Sequence, residues 1–339
     1  MARATIPDIA ALAGLSTATV DRALNGRAGV SAVNRHRVLT AARKLGYLPQ
    51  VGLLPMPARP ANLAILLPTP DRAFMAGFAA ALAARAEANP LVASCPILPL
   101  KGIGPEALLA GIDRLPPDTD AVGVITTDHP TSRASIARLS EGGVKVVTLA
   151  SDVATSARAF YVGVDNYAAG RTAARILSLF VGTGGAVAIF AGSRAFLGHQ
   201  EREAGFRAFL KEHSGFEALP TVETFEDAAR LRGEVAALLR QRPDLAGLYC
   251  IGAGRSGIIE ALDGRPTRPS VVMHDLTPTS RRWLTQGHID AIVDQNTELL
   301  AEQAILHLLG AVAGSPTALA LKHVDARLIL RENLPPEDG

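Results

Sequence analysis

The apolar positions of this chain follow two different periods. Through the first fifty residues they recur at helical spacing. Thr5 has the character of an N-cap, and Asp8 three residues on completes a capping box of the Thr-x-x-Asp kind. Pro7 is tolerated because the first turn has spare N–H groups. Ile9, Leu12 and Ala13 share a face, and Gly14 is free to end the helix in the left-handed conformation. Ser16 then caps a second helix, whose Val20, Ala23 and Leu24 point back to the first. Thr17, Ala18 and Arg22 remain on its outer face. Ser31 caps a third helix with Val38, Ala42 and Leu45 on one side, which leaves Arg35, Arg37, Arg43 and Lys44 free for phosphates. Such a pair of short helices is either an ordinary hairpin or a helix-turn-helix, in which the outward N-terminal face of the second helix enters the major groove.

Beyond Asn62 short β-rich runs alternate with alanine-rich amphipathic stretches. Strands are expected at 63–68, 92–98, 121–126, 144–150, 186–191, 247–252, 270–275 and 290–295. Helices are expected between them at 74–88, 166–181, 202–213, 227–241 and 297–313. This alternation specifies α/β architecture: parallel, doubly wound sheets with helices on both faces. The strands outnumber those of one ordinary sheet, so two lobes of similar plan are expected.

Charge sharpens the division. Residues 1–60 carry eight Lys/Arg against two Asp, +6, while the remainder carries 26 basic and 30 acidic residues, −4. A basic head on a mildly acidic body suits a polyanion-binding module attached to something that does not bind polyanions. At 339 residues and 48% hydrophobic content, the chain can fill several cores. Cys95 and Cys250 sit in apolar runs and are expected as buried thiols in a reducing compartment. The first ten residues lack the apolar core of a signal peptide, and no stretch nears the roughly 20 apolar residues of a membrane helix. A cytoplasmic protein with no membrane partner is expected.

Catalytic signatures are missing: there is no HExxH, CxxC or GxSxG. Gly252 to Gly257 has the form GxGxxG, but it falls late in the chain and lacks the acidic residue about 20 positions on that dinucleotide binding requires. No enzyme, cofactor or metal is expected.

The headpiece carries a resemblance. Ile9-Ala10, Ala13-Gly14-Leu15-Ser16, Thr19-Val20, Arg22, Leu24-Asn25, Val30-Ser31, Arg35, Val38, Ala41-Ala42, Leu45-Gly46-Tyr47 and Pro49 together resemble the headpiece of the LacI/GalR family of bacterial transcription regulators. The element order over roughly 61–330 is similar to the family's two-lobed, periplasmic-binding-protein-like sensor domain. The resemblance implies an all-α helix-turn-helix headpiece at 1–49, a hinge at 50–60 and a sensor at 61–330. The N-lobe would take about 61–164 and 296–321, and the C-lobe about 165–295 and 322–330. The chain would cross between lobes near 164–166, 293–297 and 320–324, with the ligand between them.

It further implies a homodimer, or a tetramer, on a near-palindromic double-stranded operator. Thr17, Ala18 and Arg22 would read bases, and Arg35 would hold phosphate. Thr5, Ser16, Thr19, Asn25, Ser31 and Tyr47 complete the implied DNA contacts. The implied activity is ligand-responsive transcription regulation, most often repression, of carbohydrate uptake or catabolism genes. A sugar receptor that does not bind DNA is the competing reading, and the +6 head argues against it. The linker departs from the family pattern. Pro55, Pro57 and Gly52 disfavour a hinge helix, so the segment is either a stiff spacer or a source of an apolar wedge from Leu53, Leu54 or Met56.

Ligands of open α/β sheets sit at the carboxyl ends of strands. Phe74, Asp165, Arg202, Asp275 and Gln295 occupy such positions and match the family pattern one at a time. Carboxylates, amides and a planar guanidinium suit vicinal hydroxyls, so a pentose, hexose, polyol or sugar acid fits this set. Plainer roles exist for each. Asp165 and Asp275 could cap helices, Arg202 could pair with Glu203 or Glu212, Phe74 could be core and Gln295 could brace a crossing. After the strand at 247–252, Gly252-Ala253 replaces the family's Asn-Asp, with Arg255 or Ser256 as substitutes.

Overall fold

A computed structural model describes residues 5–336 apart from 25–28, 46, 48–56, 69–72, 155, 214, 226, 253 and 315–323, and apart from the side chains at 32, 36, 39 and 43. Three helices open the chain: α1 (Ile6–Ala13), α2 (Thr17–Leu24) and α3 (Ala32–Lys44). Gly14 ends α1 with φ 64°, the left-handed turn that lets α2 fold back. Their shared core holds Ile9, Ala10, Ala13, Val20, Ala23, Val38, Ala41 and Ala42. Leu24 packs against it half-buried, and two other expected members lie outside it. Leu12 is 45% exposed because the buried stripe runs through Ile9, Ala13 and Ala10, roughly 100° round the helix from it. Leu45 is 37% exposed because α3 stops at Lys44. The linker through Met56, and with it the hinge question, lies outside the described residues.

The first lobe is a six-stranded sheet. Its elements run β1 (Ala61–Pro68), α4 (Ala73–Glu87), β2 (Val92–Ser94), β3 (Ile97–Leu100), α5 (Pro105–Ile112), β4 (Ala121–Val124), α6 (Pro130–Glu141), β5 (Lys145–Leu149) and β6 (Phe160–Val162). The order is β2-β1-β4-β5-β6, with β3 also on β1 and every pairing parallel. The single strand expected at 92–98 is two, broken at Cys95-Pro96. Pro96 has no N–H to give a ladder. Cys95 is only half-buried, contrary to expectation, though burial still pushes its thiol up to about 12; Cys250 is fully buried and pushed up to about 11.

The second lobe has seven strands. It comprises α7 (Asn166–Val181), β7 (Gly185–Ala191), α8 (Leu197–Glu212), β8 (Phe216–Ala218), β9 (Val222–Glu223), α9 (Ala228–Gln241), β10 (Leu245–Cys250), α10 (Ser256–Leu262), β11 (Ser270–His274), α11 (Pro278–Thr285) and β12 (Ala291–Asp294). After β12 comes α12 (Thr297–Val312), which packs on β4, β5 and β6 of the first lobe, and then β13 (Arg327–Ile329), which returns antiparallel to β12. The sheet order is β13-β12-β11-β10-β7-β8, with β9 also on β7. The chain therefore passes between lobes at 163–165 and 295–296. A third crossing, expected at 320–324, lies outside the described residues except for Val324. Helix α8 begins five residues earlier than expected, because its N-cap position is Phe196, without the usual polar signal.

Strand alternation builds the cores. Leu63, Ile65 and Leu67 of β1 face α4 and α12, while Ala64 and Leu66 face α5 and α6. In β11, Val272 faces the α7–α8 side and Val271 and Met273 the α9–α11 side. Both sheets are thus covered on both faces, and polar groups collect where the strands end.

Candidate functional site

The headpiece presents one coherent polar face. Ser16 Oγ accepts the Thr19 N–H at 3.2 Å and lies 2.9 Å from Thr19 Oγ1, which holds the start of α2 in place. Thr17, Ala18 and Arg22 are exposed side by side along that helix. Thr5 and Ser31 serve helix ends. Asp8 Oδ2 accepts the Thr5 N–H at 2.8 Å, and Ser31 Oγ accepts the Asn34 N–H at 3.3 Å. Both stay exposed, as do Arg37, Lys44 and Tyr47.

Arg35 requires a correction. It does not stand free for phosphate: its Nη1 donates to Ala23 O at 3.0 Å, at the C-terminal end of α2, where a cation also meets the negative end of the helix dipole. Asn25 and the Arg43 side chain lie outside the described residues.

The second site is a cavity of about 430 Å³ between the two sheets. Its walls are the carboxyl ends of both sheets, as the topology requires. Phe74, Met75, Ile125 and Ser151 come from the first lobe; Phe196, His199, Arg202, Arg255, Asp275, Thr277 and Trp283 come from the second; Gln295 comes from a crossing. The lobes touch beside it, where Ser151 Oγ accepts the Gly198 N–H at 3.1 Å and the Asp128 N–H donates to Ala195 O at 3.1 Å.

Its polar groups are held from behind. Arg202 is 4% exposed, and its Nε donates to Asn166 Oδ1 at 2.8 Å. Asn166 Nδ2 donates to Tyr161 Oη at 3.1 Å, which anchors the pair to β6. One turn on, Phe206 stacks on Tyr249 at 4.2 Å between ring centroids. The Tyr249 hydroxyl lies 2.7 Å from His274 Nε2. Burial first, then the Arg202 charge, pushes His274 well below the usual histidine range, so the ring is neutral. Arg255 Nη1 donates to the carbonyls of His274 and Asp275. Asp275 takes the left-handed conformation, φ 67°, and its Oδ1 accepts from Gln295 Nε2 at 2.8 Å. Gln295 Oε1 is buried without a partner.

Residues 5–50 match the profile of bacterial regulatory proteins of the lacI family, and residues 107–316 match that of a periplasmic binding protein domain. The chain belongs to the periplasmic binding protein domain family and carries a lacI-family headpiece at its N-terminal end. Over 47 residues it is 55% identical to the HTH-type transcriptional repressor CytR of Escherichia coli K12, a match covering 14% of each chain. Over 42 residues it is 57% identical to the regulator MalR of Streptomyces coelicolor, 12% of each chain. These curated relatives are therefore matched over about one-seventh of their length. Across the two lobes, the fold is that of GanP, a glucose-galactose binding protein from Geobacillus stearothermophilus: TM-score 0.72, 22% identity, 81% of this chain and 99% of that one. A solute binding protein from Burkholderia graminis in complex with D-arabinose has a TM-score of 0.73 at 22% identity, covering 80% and 96%.

The cavity gathers four of the five cleft residues singled out from sequence: Phe74, Arg202, Asp275 and Gln295. Asp165 is the exception. It is exposed and N-caps α7, its Oδ1 accepting the Ala168 N–H at 2.8 Å, so the plainer role holds; its neighbour Asn166 faces inward instead. Asp275 caps nothing, since Thr277 caps α11. Arg202 pairs with neither Glu203, which Arg207 and Arg194 hold, nor Glu212, which Arg171 holds. Phe74 is half-buried and stacks on the fully buried Phe78 while lining the cavity. Arg255 and Ser256 both line it where the family pattern departs. Ser151, Thr277 and Trp283 were not foreseen. Trp283 had one available signal, being the chain's single tryptophan. Among the described residues no helix is long and apolar enough to cross a membrane, and no cluster of His, Cys, Asp or Glu could hold a metal.

Proposed function

We propose that this protein is a ligand-responsive, sequence-specific DNA-binding regulator, a repressor of carbohydrate uptake or catabolism genes, that acts as a homodimer. The headpiece at 1–49 would grip half-sites of a near-palindromic operator, the 50–60 linker would join it to the sensor at 61–330, and a sugar-like effector would sit between the lobes. One observation carries this reading. The lacI-type helix pair, with Thr17, Ala18 and Arg22 exposed together, shares a chain with a cavity between two sheets into which Arg202, Arg255, Asp275 and Gln295 converge. Effector binding changes DNA affinity only through differential affinity for two lobe arrangements. The Asn166–Tyr161 bond, which joins the Arg202 network to the first lobe, supports such coupling.

Gel shift on genomic fragments tests it. The expected result is retention of a fragment with a near-palindrome, weakening as salt rises because phosphate contacts release counterions. Failure to retain any duplex in dilute buffer would overturn DNA binding and leave the sensor as a receptor.

A further inference from the structure

Among the described residues, two of the charged side chains that line the cavity are arginines. Arg202 and Arg255 are 4% and 9% exposed, and both line the cavity. Each is tethered along one edge only. Arg202 spends Nε on Asn166 Oδ1, and Arg255 spends Nη1 on two main-chain carbonyls. Among the described residues, neither pairs with a carboxylate within 4.0 Å, and the remaining guanidinium N–H groups have no protein acceptor. Among the described residues a single carboxylate lines the cavity, Asp275, and its Oδ1 is already engaged by Gln295. The other nearby acids are committed elsewhere. Asp294 is held by Arg327 at 2.6 Å and by two main-chain N–H groups, and Glu201 lies outside the lining.

Sequence alone suggested two aspartates and one arginine. The structure removes Asp165 and brings Arg255, offered there only as a substitute, into the lining, so among the described residues the balance changes from negative to positive. A buried cation without a partner is costly, and a neutral ligand that displaced cavity water would raise that cost. A planar guanidinium with a free edge is matched by paired oxygens of a carboxylate or phosphate. The buried Oε1 of Gln295, 3% exposed and without a partner, asks in addition for a hydroxyl donor. The Phe74, Phe196 and Trp283 rings supply apolar walls for a carbon skeleton.

Building on the reading of this cavity as the effector site, we propose that its ligand is a hydroxylated anion, a sugar acid or sugar phosphate, with the acidic group held by Arg202 and Arg255.

Trp283 is the chain's single tryptophan and lines the cavity, so its emission reports occupancy in the full-length protein. The probes are D-glucose, D-gluconate, D-glucuronate and D-glucose 6-phosphate, with the galactose counterparts, at ionic strength fixed with NaCl. Inorganic phosphate serves as a probe blind to stereochemistry. Saturable emission changes are expected with anionic members, about tenfold or more tighter than with their neutral parents. Whether acids or phosphates bind better identifies the group. Arg255→Gln should remove that preference, and Arg255→Lys, which keeps the charge without the fork, should retain part of it. Neutral parents binding as tightly as their acids would overturn the charge inference and leave the cavity as effector site. No saturable response to any probe, phosphate included, would overturn it too. A compound that alters operator binding without moving Trp283 emission would instead overturn the placement of the effector.

Discussion

Arg202 Nε donates to Asn166 Oδ1 at 2.8 Å, and the bond joins α8 to the first residue of α7. Asn166 is 1% exposed and in turn donates to Tyr161 Oη at 3.1 Å, in the other lobe. Asn166→Ala strands both partners in a buried setting. It should cost about 1–3 kcal/mol of stability in denaturant unfolding. It should also weaken effector binding, since Arg202 loses the acceptor that aims it. Calorimetric titration of whichever ligand moves Trp283 emission checks this; unchanged affinity would remove Asn166 from the support of Arg202.

The same two helices approach unusually closely. A Cβ on Gly170 would lie 2.0 Å from Arg202 O, and one on Gly205 would lie 2.0 Å from Tyr167 O. Neither contact can be relieved by rotating a side chain, because both oxygens are main chain. Gly170→Ala should force α8 away from α7, at about 1–3 kcal/mol for the overpacking. Thermal unfolding reads the loss. The effector response should fail with it, while Gly233→Ala, with nothing within 4 Å of the added carbon, should leave both intact.

These relationships show where sequence stops being legible. The apolar runs of the sheets and the polar residues at their ends were readable, because burial on both faces dictates composition. Which of two adjacent residues points inward was not: Asp165 and Asn166 both suit a strand end, and only the start of α7 decides that one caps and the other faces Arg202. Ser151 and Thr277 were invisible for the same reason, being ordinary polar residues in loops. In the headpiece, the outer face of α2 was legible from period alone. The role of Arg35 was not, because the carbonyl it caps lies twelve residues away.

That difference between Arg22 and Arg35 separates two effects. Arg22 is exposed beside Thr17 and Ala18, and in the proposed operator complex it would pair with a guanine edge. Arg22→Ala should relax discrimination at one operator position at a cost of about 1–3 kcal/mol. Arg35→Ala removes the donor to Ala23 O, so it should lower headpiece stability by about 1 kcal/mol and weaken all duplexes alike. Competition gel shifts against single-base operator variants, alongside thermal melts, distinguish the two. Equal weakening on every sequence by Arg22→Ala would count against base readout.

His274 makes stability depend on pH. It is 1% exposed, its Nε2 meets the Tyr249 hydroxyl, and burial followed by the Arg202 charge depresses its proton affinity far below the ordinary value of 6.5. The unfolded chain therefore binds a proton at this site at pH values where the folded chain does not. Stability is then fully present above about 6.5 and falls as pH drops through it, by up to about 1.4 kcal/mol per pH unit until the folded ring itself titrates. His307, lowered chiefly by burial, contributes with the same sign. Apart from Glu201, which burial raises and whose contribution has the opposite sign, carboxylates titrate mainly below pH 5, so the window between about 5 and 6.5 reports chiefly the histidines. Denaturant midpoints should decline across that window in the native protein. His274→Asn should flatten most of the decline although it lowers stability at pH 8, where the lost Tyr249 contact still counts. An unchanged slope in that variant would show that the ring is not held neutral by its burial beneath the cavity.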